Sequence, residues 1–384
     1  MKKWITVLLL GLCLSLAACT TAGTSDSTAS QPTELEGTSG AKAGQVRIFN
    51  EDPQLQAAWE ALGAEYTQQT GVEVRLVSDA GEEATLLTVK SGESLPETCA
   101  DLSGTEACAQ LASWDLTLSD ESGRVCGIAA EVEVFGLMYN SMLLAQTSNT
   151  CADITCFTDL TEVVYAITDN QQKLGFSAFA RVDPDENFAM QLSALRGDTR
   201  NLVDLIINNT PCSVLDMEEN TEAEALQDFL DGKAVFFLVR SGAYETLNAI
   251  GSQNLGVLPV YLGSENEENQ SLCVAAAAYW CVNESAAAED MQATLDFLNY
   301  LVQPRIDGSV PVDDLGRLAP YRQAAYVSNM LEVVFRTDLA AGKAPLVCRY
   351  VTQAPEGLGQ ALVDYARDPS DSNWEAVAAI IEKK

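Results

Sequence analysis

The stretch that decides the fold is QVRIFNEDPQLQAAWEALGAEYTQQTGVEVRLV, residues 45–77. Its first six residues, QVRIFN, are rich in β-branched and aromatic side chains and predict a buried strand. Asp52 followed by Pro53 is typical of a helix start. Apolar side chains then recur at helical spacing, at Leu55, Trp59, Leu62 and Tyr66. Gly71 ends the helix, and VEVRLV (72–77) alternates as a second strand. A strand–helix–strand unit of this length predicts two parallel strands in an α/β fold.

The same pattern returns later in the chain. Residues 222–231 predict a helix that ends at Gly232, and residues 234–239 and 255–262 predict strands. Two more helices are predicted from apolar faces, formed by Met291, Leu295, Leu298 and Val302 and by Val377, Ala378 and Ile381. The body of the chain is therefore predicted to be α/β.

Length and composition narrow the possible functions. The chain has 384 residues, enough for two cores, because single cores stop growing near about 250–300 residues. It carries 22 Lys and Arg against 55 Asp and Glu, a formal net charge of −33. An acidic surface repels phosphate backbones, so we expect no nucleic-acid partner. The chain contains no histidine, which removes the usual general base and the commonest metal ligand.

The N-terminus has the features of an export signal. Two lysines precede an apolar run from Trp4 to Leu16, which is short for a membrane span and fits a secretory signal. The motif LAAC (16–19) follows and resembles the bacterial lipobox, in which the cysteine is diacylated after cleavage. We therefore expect residues 1–18 to be a signal peptide and Cys19 to carry lipid. The alternative is an ordinary signal peptide in which Cys19 has no role.

Residues 20–44 are predicted to be a flexible tether. Eighteen of these twenty-five residues are Ser, Thr, Gly or Ala, and Leu35 is the one large apolar side chain. Such a segment buries too little surface to offset its ordering entropy. With Cys19 lipidated, segment 19–44 would hold the protein on the extracytoplasmic face of the cell membrane, because two acyl chains anchor stably.

Nine cysteines remain after the signal peptide and Cys19 are set aside. Cys151 and Cys156 are close enough in sequence for a local disulfide outside the cytoplasm. Cys273 and Cys281 are not expected to pair if they lie on one strand, because eight residues of strand span about 26 Å. A zinc site is not expected, since the chain has no CxxC pair and no histidine. We expect neither a metal nor another cofactor.

Several motifs follow the lipobox in order: AAWEALGAEYTQQTGVEV (57–74), EVFGLMYNSMLL (133–144), FLDGKAVFFLVRSGAYETL (229–247), NLGVLPVYLG (254–263), YWCVN (279–283), ATLDFLNYLV (293–302) and LGRLAP (315–320). Taken together, they resemble the family 1, sugar-type extracellular solute-binding proteins of bacterial ABC importers, in their lipoprotein form. The resemblance runs from about residue 45 to the C-terminus. It depends on the ordered set, because no single motif is decisive.

The resemblance implies a two-lobed periplasmic-binding-protein-like (type II) fold, with parallel-rich sheets flanked by helices and a ligand cleft at the hinge. The first lobe would be 45–140 plus 275–325, and the second 141–274 plus 326–384. The implied function is capture of a small solute, a sugar or an oligosaccharide, for delivery to ABC permease subunits. We expect a monomer that performs no catalysis.

The resemblance also implies ligand-binding residues. Asn50, Glu51 and Asp52 follow the first strand and would face the cleft, although Asp52 also suits a helix cap. The remaining candidates are Asp101, Glu133, Phe188, Tyr244, Trp280, Arg240 and Arg317. Trp280 would stack on a ligand or, as an alternative, pack in the core. The arginines would bind a ligand or pair with carboxylates.

The chain also departs from the family. Asp185-Glu186-Asn187-Phe188 offers one aromatic residue where relatives have several, and Ala129-Ala130-Glu131 replaces a Pro-aromatic run. These changes remove stacking area and add acid, so the ligand is expected to be a sugar or a smaller, more polar or cationic solute. Two other classes remain open: a carboxylate-pair glycosidase, and a ligand-poor surface lipoprotein that acts as an interaction or sensor partner.

Overall fold

The computed structural model of the protein describes residues 44–81, 83–243 and 254–383. The opening strand–helix–strand unit is confirmed: β1 is Gln45–Phe49, α1 is Gln56–Thr70 and β2 is Glu73–Val77, and the two strands pair in parallel. The helix ends as predicted at Gly71, whose φ of 77° lies in the left-handed region that glycine adopts at low cost.

The start of this unit is also explained by the sequence. Asp52 caps the short 3₁₀ turn Pro53–Leu55 that leads into α1, and its Oδ1 accepts a hydrogen bond from Gln54 N at 2.9 Å. Proline at the first position of the turn has no N–H to leave unsatisfied. The helix-cap interpretation of Asp52 is thus confirmed for one of its two carboxylate oxygens.

The remaining strands complete a large sheet. In the described residues they are β3 (Leu86–Lys90), β4 (Thr117–Ser119), β5 (Val125–Asn140), β6 (Ser177–Phe179), β7 (Ala234–Arg240), β8 (Leu255–Leu258), β9 (Gln270–Val282) and β10 (Ala344–Val347).

Eleven further helices flank the sheet. In the described residues they are α2 (Glu106–Ala109), α3 (Ser141–Gln146), α4 (Phe157–Asp169), α5 (Gln171–Leu174), α6 (Asn187–Ala194), α7 (Arg200–Ile207), α8 (Glu222–Leu230), α9 (Ala288–Leu301), α10 (Met330–Ala340), α11 (Leu358–Arg367) and α12 (Asp371–Ile381). None of the helices in the described ranges has both the length and the apolar character needed to cross a membrane.

The sheet is mixed and runs in the order β2-β1-β3-β9-β5-β7-β6, with β10 added to β9 and with β4 and β8 added to β5. The parallel pairs are β1–β2, β1–β3, β6–β7 and β9–β10, and the central pairs are antiparallel. The chain is thus α/β, as predicted, with a mixed central region.

Strands β5 and β9 connect the two halves of the sheet. Their ladder extends from the pair Ile128–Trp280 to the pair Phe135–Cys273, and its register shifts on both sides of Glu131. Such irregularities bend a strand and increase its local twist. The functional side chains described below lie at this irregular part of the ladder.

Hydrophobic side chains cover both faces of the central strands. On β5, Val134 and Met138 belong to one core cluster, whereas Phe135 and Leu137 belong to another. Because successive side chains of a strand point to opposite faces, the two clusters cover opposite faces of the sheet there. A strand that is buried on both faces has a nearly continuous apolar sequence. A carboxylate in such a strand needs hydrogen-bond donors or a cation nearby, because burial disfavours its charge.

Two strand predictions differ from the structure. The predicted strand 255–262 ends at Leu258, because Pro259 has no N–H to donate to a ladder. Strand β3 was not predicted, although Leu86, Leu87 and Val89 are buried and pair with β1 and β9. The helices predicted at 222–231, around 291–302 and around 377–381 are confirmed within a few residues.

The nine described cysteines are free thiols. Cys151 and Cys156, which were considered for a local disulfide, are both free in the structure. Cys273 lies on β9 and contacts Cys348. The predicted signal peptide, Cys19 and most of the tether lie outside the described residues, as does Tyr244.

Candidate ligand-binding site

Strand β5 carries two carboxylates, Glu131 and Glu133, into an otherwise apolar part of the sheet. They pair with Ala278 and Ala275 of β9 at the irregular part of the ladder. An open space lies beside the two carboxylates, and the small side chain of Ala277 on β9 forms part of its wall. Both glutamates line that space.

The space is a cavity of about 420 Å³, within the size range of small-molecule sites. We call it the acidic cavity. Its polar side chains come from strand β5 and from segments far apart in sequence: Glu131, Glu133, Ser241, Arg317, Tyr326, Ser328, Asn329, Glu332 and Tyr350.

Glu133 is nine-tenths buried, and the protein satisfies only one of its carboxylate oxygens. Oε1 accepts hydrogen bonds from Gly242 N at 3.2 Å and from Arg240 Nη1 at 3.4 Å. Oε2 is buried and has no hydrogen-bond partner. An unsatisfied buried acceptor costs free energy, so Oε2 is a place where a ligand donor would be stabilising.

Gly242 allows the carboxylate of Glu133 to approach the backbone. A Cβ atom at this position would lie 2.7 Å from Glu133 Oε1, which is closer than carbon and oxygen can approach without displacement. The side chain of the preceding residue, Ser241, accepts a hydrogen bond from Val134 N at 3.2 Å. The segment after β7 is therefore held against β5 on both sides of Glu133.

Arg317 forms the second charged contact of the cavity. Its Nη2 donates to Asp52 Oδ2 at 2.7 Å and to Gln54 Oε1 at 3.1 Å. Its Nε lies 3.7 Å from Glu131 Oε2, an ion pair without a hydrogen bond. The guanidinium is thus committed mainly to Asp52, and Glu131 is only partly neutralised.

Glu332 is the third glutamate of the cavity, and its hydrogen bonds are satisfied locally. It lies near the N-terminus of α10 and accepts from Ser328 N at 2.6 Å, from Ser328 Oγ at 3.0 Å and from Asn329 Nδ2 at 2.9 Å. In return, Asn329 Oδ1 accepts from Glu332 N. This reciprocal arrangement is a helix cap, so Glu332 contributes charge to the cavity but holds its position through the fold.

The charges of the cavity shift the pKa values of its acids in opposite directions. Burial raises the pKa of Glu131 above its usual range, and the charges of Asp52, Glu133 and Glu332 raise it further. Burial also raises the pKa of Glu133, which Arg240 opposes. The hydrogen bond from Arg317 lowers the pKa of Asp52. Raised and lowered carboxyl pKa values in one place are typical of functional sites.

The aromatic side chains that line the acidic cavity are Tyr326 and Tyr350. Burial, together with the charges of Glu133 and Glu131, raises the pKa of Tyr350. Its hydroxyl is therefore a neutral donor beside carboxylates at physiological pH. Two tyrosines provide a limited stacking surface and two further polar atoms.

A second, larger cavity of about 890 Å³ lies against β1 and β3. It is lined by Phe49, Leu87 and Val89 and by the loop 93–98. The Oγ of Thr88, which also lines it, is buried without a partner. Among the described residues, five charged side chains line this cavity, but none of its carboxylates has a buried oxygen without a hydrogen-bond partner, so we treat it as the alternative location. Within the described ranges, no group of three or more Cys, Asp or Glu side chains could hold a metal ion.

Four of the predicted site residues come together in the structure. Glu133 and Arg317 line the acidic cavity, and Asp52 is bonded to Arg317. Arg240 reaches the same carboxylate, Glu133. Glu51 lines the larger cavity and pairs with Lys90 at 2.8 Å. Both arginines pair with carboxylates, which was the alternative to ligand binding.

Three other predicted residues lie elsewhere. Trp280 is 1% exposed and packs between Trp59 and Tyr321, so the core interpretation holds and its ring presents no free face. Phe188 is 5% exposed in the other core cluster. Asp101 is exposed, and its Oδ1 accepts from Ser103 N at 3.0 Å, which is a local turn contact. None of these three lines the acidic cavity.

The sequence interpretation did not select Glu131, Glu332 or Tyr350. Glu131 could have been found, because it lies two residues before Glu133 in an apolar run and residues at this spacing share a strand face. The SN..E pattern at 328–332 predicts a helix cap, and no feature of it indicates a cavity. Tyr350 follows β10 and has no local signal.

The family model for bacterial extracellular solute-binding proteins matches residues 41–308, more than half of the chain. No curated protein matches the chain significantly.

Several solved structures have the same fold at low sequence identity. A family 1 extracellular solute-binding protein from Bifidobacterium longum subsp. infantis is 14% identical, with a TM-score of 0.61, covering 88% of this chain and 98% of its own. A sugar transporter from Rhizobium etli, in an open conformation, is 13% identical, with a TM-score of 0.59, and the match covers 89% of this chain and 100% of the transporter chain. A probable secreted solute-binding lipoprotein from Streptomyces coelicolor is 13% identical, with a TM-score of 0.59, and the match covers 90% of this chain and 100% of the lipoprotein chain.

These similarities cover nearly the whole of each solved chain and concern the two-lobed fold of solute-binding proteins. Together with the match to the family model, they agree with the α/β topology. The chain belongs to the family of bacterial extracellular solute-binding proteins.

Proposed function

We propose that this protein is the membrane-tethered solute-binding component of an ABC importer. It captures a small polyhydroxylated solute, a sugar or an oligosaccharide, in the acidic cavity and delivers it to permease subunits. It acts as a monomer, without catalysis. Lipid on Cys19 and the tether 19–44 hold it on the extracytoplasmic face of the cell membrane.

The observation that carries the proposal is the unpartnered oxygen of Glu133. Oε2 is buried beside a cavity of small-molecule size. A ligand hydroxyl or N–H would supply the missing donor, while Arg317 and the tyrosines offer donors to ligand oxygens. These are groups that recognise a polar ligand by hydrogen bonds, and none of them requires a bond to be broken.

The sugar class is supported by relatives of the same fold. One similar solved protein is a sugar transporter, and another is described as preferring β-D-galactopyranose, with a TM-score of 0.58 at 11% identity. The predicted lipid anchor is supported by the similar solute-binding lipoprotein from Streptomyces coelicolor.

We further propose that the lobes 45–140 plus 275–325 and 141–274 plus 326–384 close over the ligand. Strands β5 and β9 join the two halves of the sheet, and the register of their ladder shifts beside Glu131. A bend at that point would move Tyr350 relative to Arg317 across the acidic cavity. Closure that buries a polar ligand strengthens its hydrogen bonds.

A thermal-shift screen of the purified protein tests the proposal. The panel contains monosaccharides, oligosaccharides, amino acids, polyamines and nucleosides. A ligand at one hundred times its dissociation constant stabilises the folded state by about 2.7 kcal/mol, an easily measured shift. Stabilisation by a sugar that is lost in Glu133→Gln supports the proposal, provided that the sugar is recovered unchanged.

Glu97→Gln is the matched control, because Glu97 is exposed and lines the larger cavity. If Glu97→Gln abolishes binding and Glu133→Gln does not, the site lies in the larger cavity. Conversion of the sugar to a product would instead favour the glycosidase class.

A second candidate is a ligand-poor surface lipoprotein of the same fold, acting as an interaction or sensor partner. The limited aromatic surface, two tyrosines in the acidic cavity, favours it. It predicts no stabilisation by any member of the panel, and binding of the protein to a permease complex would not depend on a solute.

A further inference from the structure

The acidic cavity has an excess of negative charge. Its glutamates, with the adjoining Asp52, provide four carboxylates: Asp52, Glu131, Glu133 and Glu332. Two guanidinium groups, those of Arg240 and Arg317, contact them. Arg336, whose charge interacts with those of Asp313 and Glu332, adds one positive charge, and Asp313 adds one negative charge. The formal balance is therefore two negative charges for which the described residues supply no cation.

The excess is concentrated on Glu131 and Glu133. Asp52 has a guanidinium nitrogen at 2.7 Å, and Glu332 accepts three hydrogen bonds from its helix cap. By contrast, the nearest cationic nitrogens lie 3.7 Å from Glu131 and 3.4 Å from Glu133. The contact from Arg240 reaches Oε1 of Glu133 and leaves the buried Oε2 without a partner.

A neutral ligand hydroxyl would give Oε2 a hydrogen bond but would leave the excess charge in place. A ligand cation would do both, because a charge-assisted hydrogen bond is shorter and about twice as strong as a neutral one. Burial raises the pKa of both glutamates; for Glu131 the charges of neighbouring carboxylates add to the shift and Arg317 opposes it, whereas for Glu133 Arg240 opposes it.

We propose that the natural solute is a polyhydroxylated molecule with a protonated amine, an amino sugar in its simplest form, and that the ammonium group lies between Glu131 and Glu133. This rests on the proposed solute-binding function and specifies its ligand class. The ammonium donates to Glu131 and, once a rotation of the Glu133 side chain opens the buried Oε2 to the cavity, to Glu133 Oε2. The ligand hydroxyls contact Arg317, Tyr326 and Tyr350 around the rest of the cavity.

Matched ligands test the proposal by isothermal titration calorimetry on the purified protein. The probes are glucosamine, galactosamine and mannosamine, each with its parent sugar and its N-acetyl derivative. The parent sugar has a neutral hydroxyl of similar size in place of the ammonium, and the N-acetyl derivative keeps the nitrogen but replaces its charge by a larger neutral amide. We expect at least one amine to bind about tenfold or more tightly than both of its neutral partners.

Substitutions of the two glutamates test where the ammonium group of the ligand binds. Glu131→Gln and Glu133→Gln keep the shape of the side chains, and each is expected to reduce the preference for the amine severalfold more than it reduces binding of the neutral partner. Glu97→Gln in the larger cavity should change neither. Affinity for the amine should also fall as the pH is lowered through the raised pKa values of the two glutamates, whereas the neutral partner should show a weaker dependence.

Each other outcome overturns the inference in a distinguishable way. Equal or tighter binding of the neutral sugars leaves the proposed function intact and excludes the amine. Binding of no probe, amine or neutral, overturns the inference, and it contradicts the proposed function as well only if the thermal-shift panel of sugars and oligosaccharides is also silent. Stabilisation by calcium chloride alone, reversed by a chelator, would assign the excess charge to a metal cation.

Discussion

Arg317 Nη2 lies 2.7 Å from Asp52 Oδ2, although the two residues are 265 positions apart in the sequence. Asp52 lies just after strand β1, and Arg317 lies in the segment between α9 and α10. This contact therefore joins two distant segments beside the acidic cavity. The other carboxylate oxygen of Asp52 caps the turn that leads into α1. One aspartate therefore serves both the fold and the site.

The first prediction concerns this pair. Arg317→Met should lower the free energy of unfolding by about 1 kcal/mol and weaken ligand binding, because it removes a charge-assisted hydrogen bond from a partly exposed pair. Chemical denaturation and calorimetry measure the two effects. Arg75→Met, at an exposed position of β2, is the control and should alter neither. Equal stability of Arg317→Met and the native protein would contradict the prediction.

The same pair has a pH dependence of known sign. The pKa of Asp52 is lowered in the folded state, so its charged form contributes stability above the unfolded value, about pH 4. That contribution is lost as the pH falls through the lowered folded pKa. Asp52→Asn should therefore destabilise the protein at pH 7 and have little effect near pH 2.

Glu131 should behave in the opposite way. Its pKa is raised in the folded state, so its charged form costs stability above about pH 4.5 and the cost disappears as the pH falls below that value. Glu131→Gln should accordingly raise the melting temperature of the ligand-free protein at pH 7 and leave it unchanged near pH 4. A lower melting temperature at pH 7 would show that Arg317 fully neutralises Glu131.

Gly242→Ala tests the close approach of Glu133 to the backbone. The added Cβ would lie 2.7 Å from Glu133 Oε1, so the carboxylate must move. We expect a loss of stability of about 1–3 kcal/mol, typical of overpacking, with weaker ligand binding. Gly104→Ala is the matched control, since a Cβ there meets no atom within 4 Å. Equal effects of the two substitutions would refute the proposed role of Gly242.

Trp280 is expected to matter for stability and not for ligand choice. Trp280→Ala should cost about 3–5 kcal/mol, because the ring is buried against Trp59 and Tyr321. The milder Trp280→Phe keeps an aromatic ring, and its folded fraction should bind ligand with native affinity. A loss of affinity for the ligand in Trp280→Phe, without a loss of stability, would show that Trp280 contributes to ligand binding.

The local elements were predictable because their signals lie within one segment. The spacing of Trp59, Leu62 and Tyr66 and the cap at Asp52 suffice for the first helix. Strand β3 was missed because its burial comes from β1 and β9, which flank it in the sheet but not in the sequence. The end of β8 at Pro259 shows the opposite case, in which a single residue overrides a longer apolar run.

The site was predictable only in part, for a related reason. Glu133 and Arg317 were selected from motifs, but no local pattern brings Tyr350 or Glu332 to the same cavity. Trp280 was ambiguous, because a strand covered on both faces buries every aromatic side chain, including those that would stack on a ligand in an open cleft. Exposure, which decides between these roles, depends on the packing of distant segments.

The position of Glu131 and Glu133 on a central strand limits how this protein can change during evolution. A one-residue insertion or deletion in β5 before Glu131 would turn the following side chains to the opposite face of the sheet, and both carboxylates would leave the cavity together. At these two positions, new ligand preferences are therefore expected to arise by point substitution. The loop 93–98 beside the larger cavity has no such restriction, and differences in length among descendants should accumulate there.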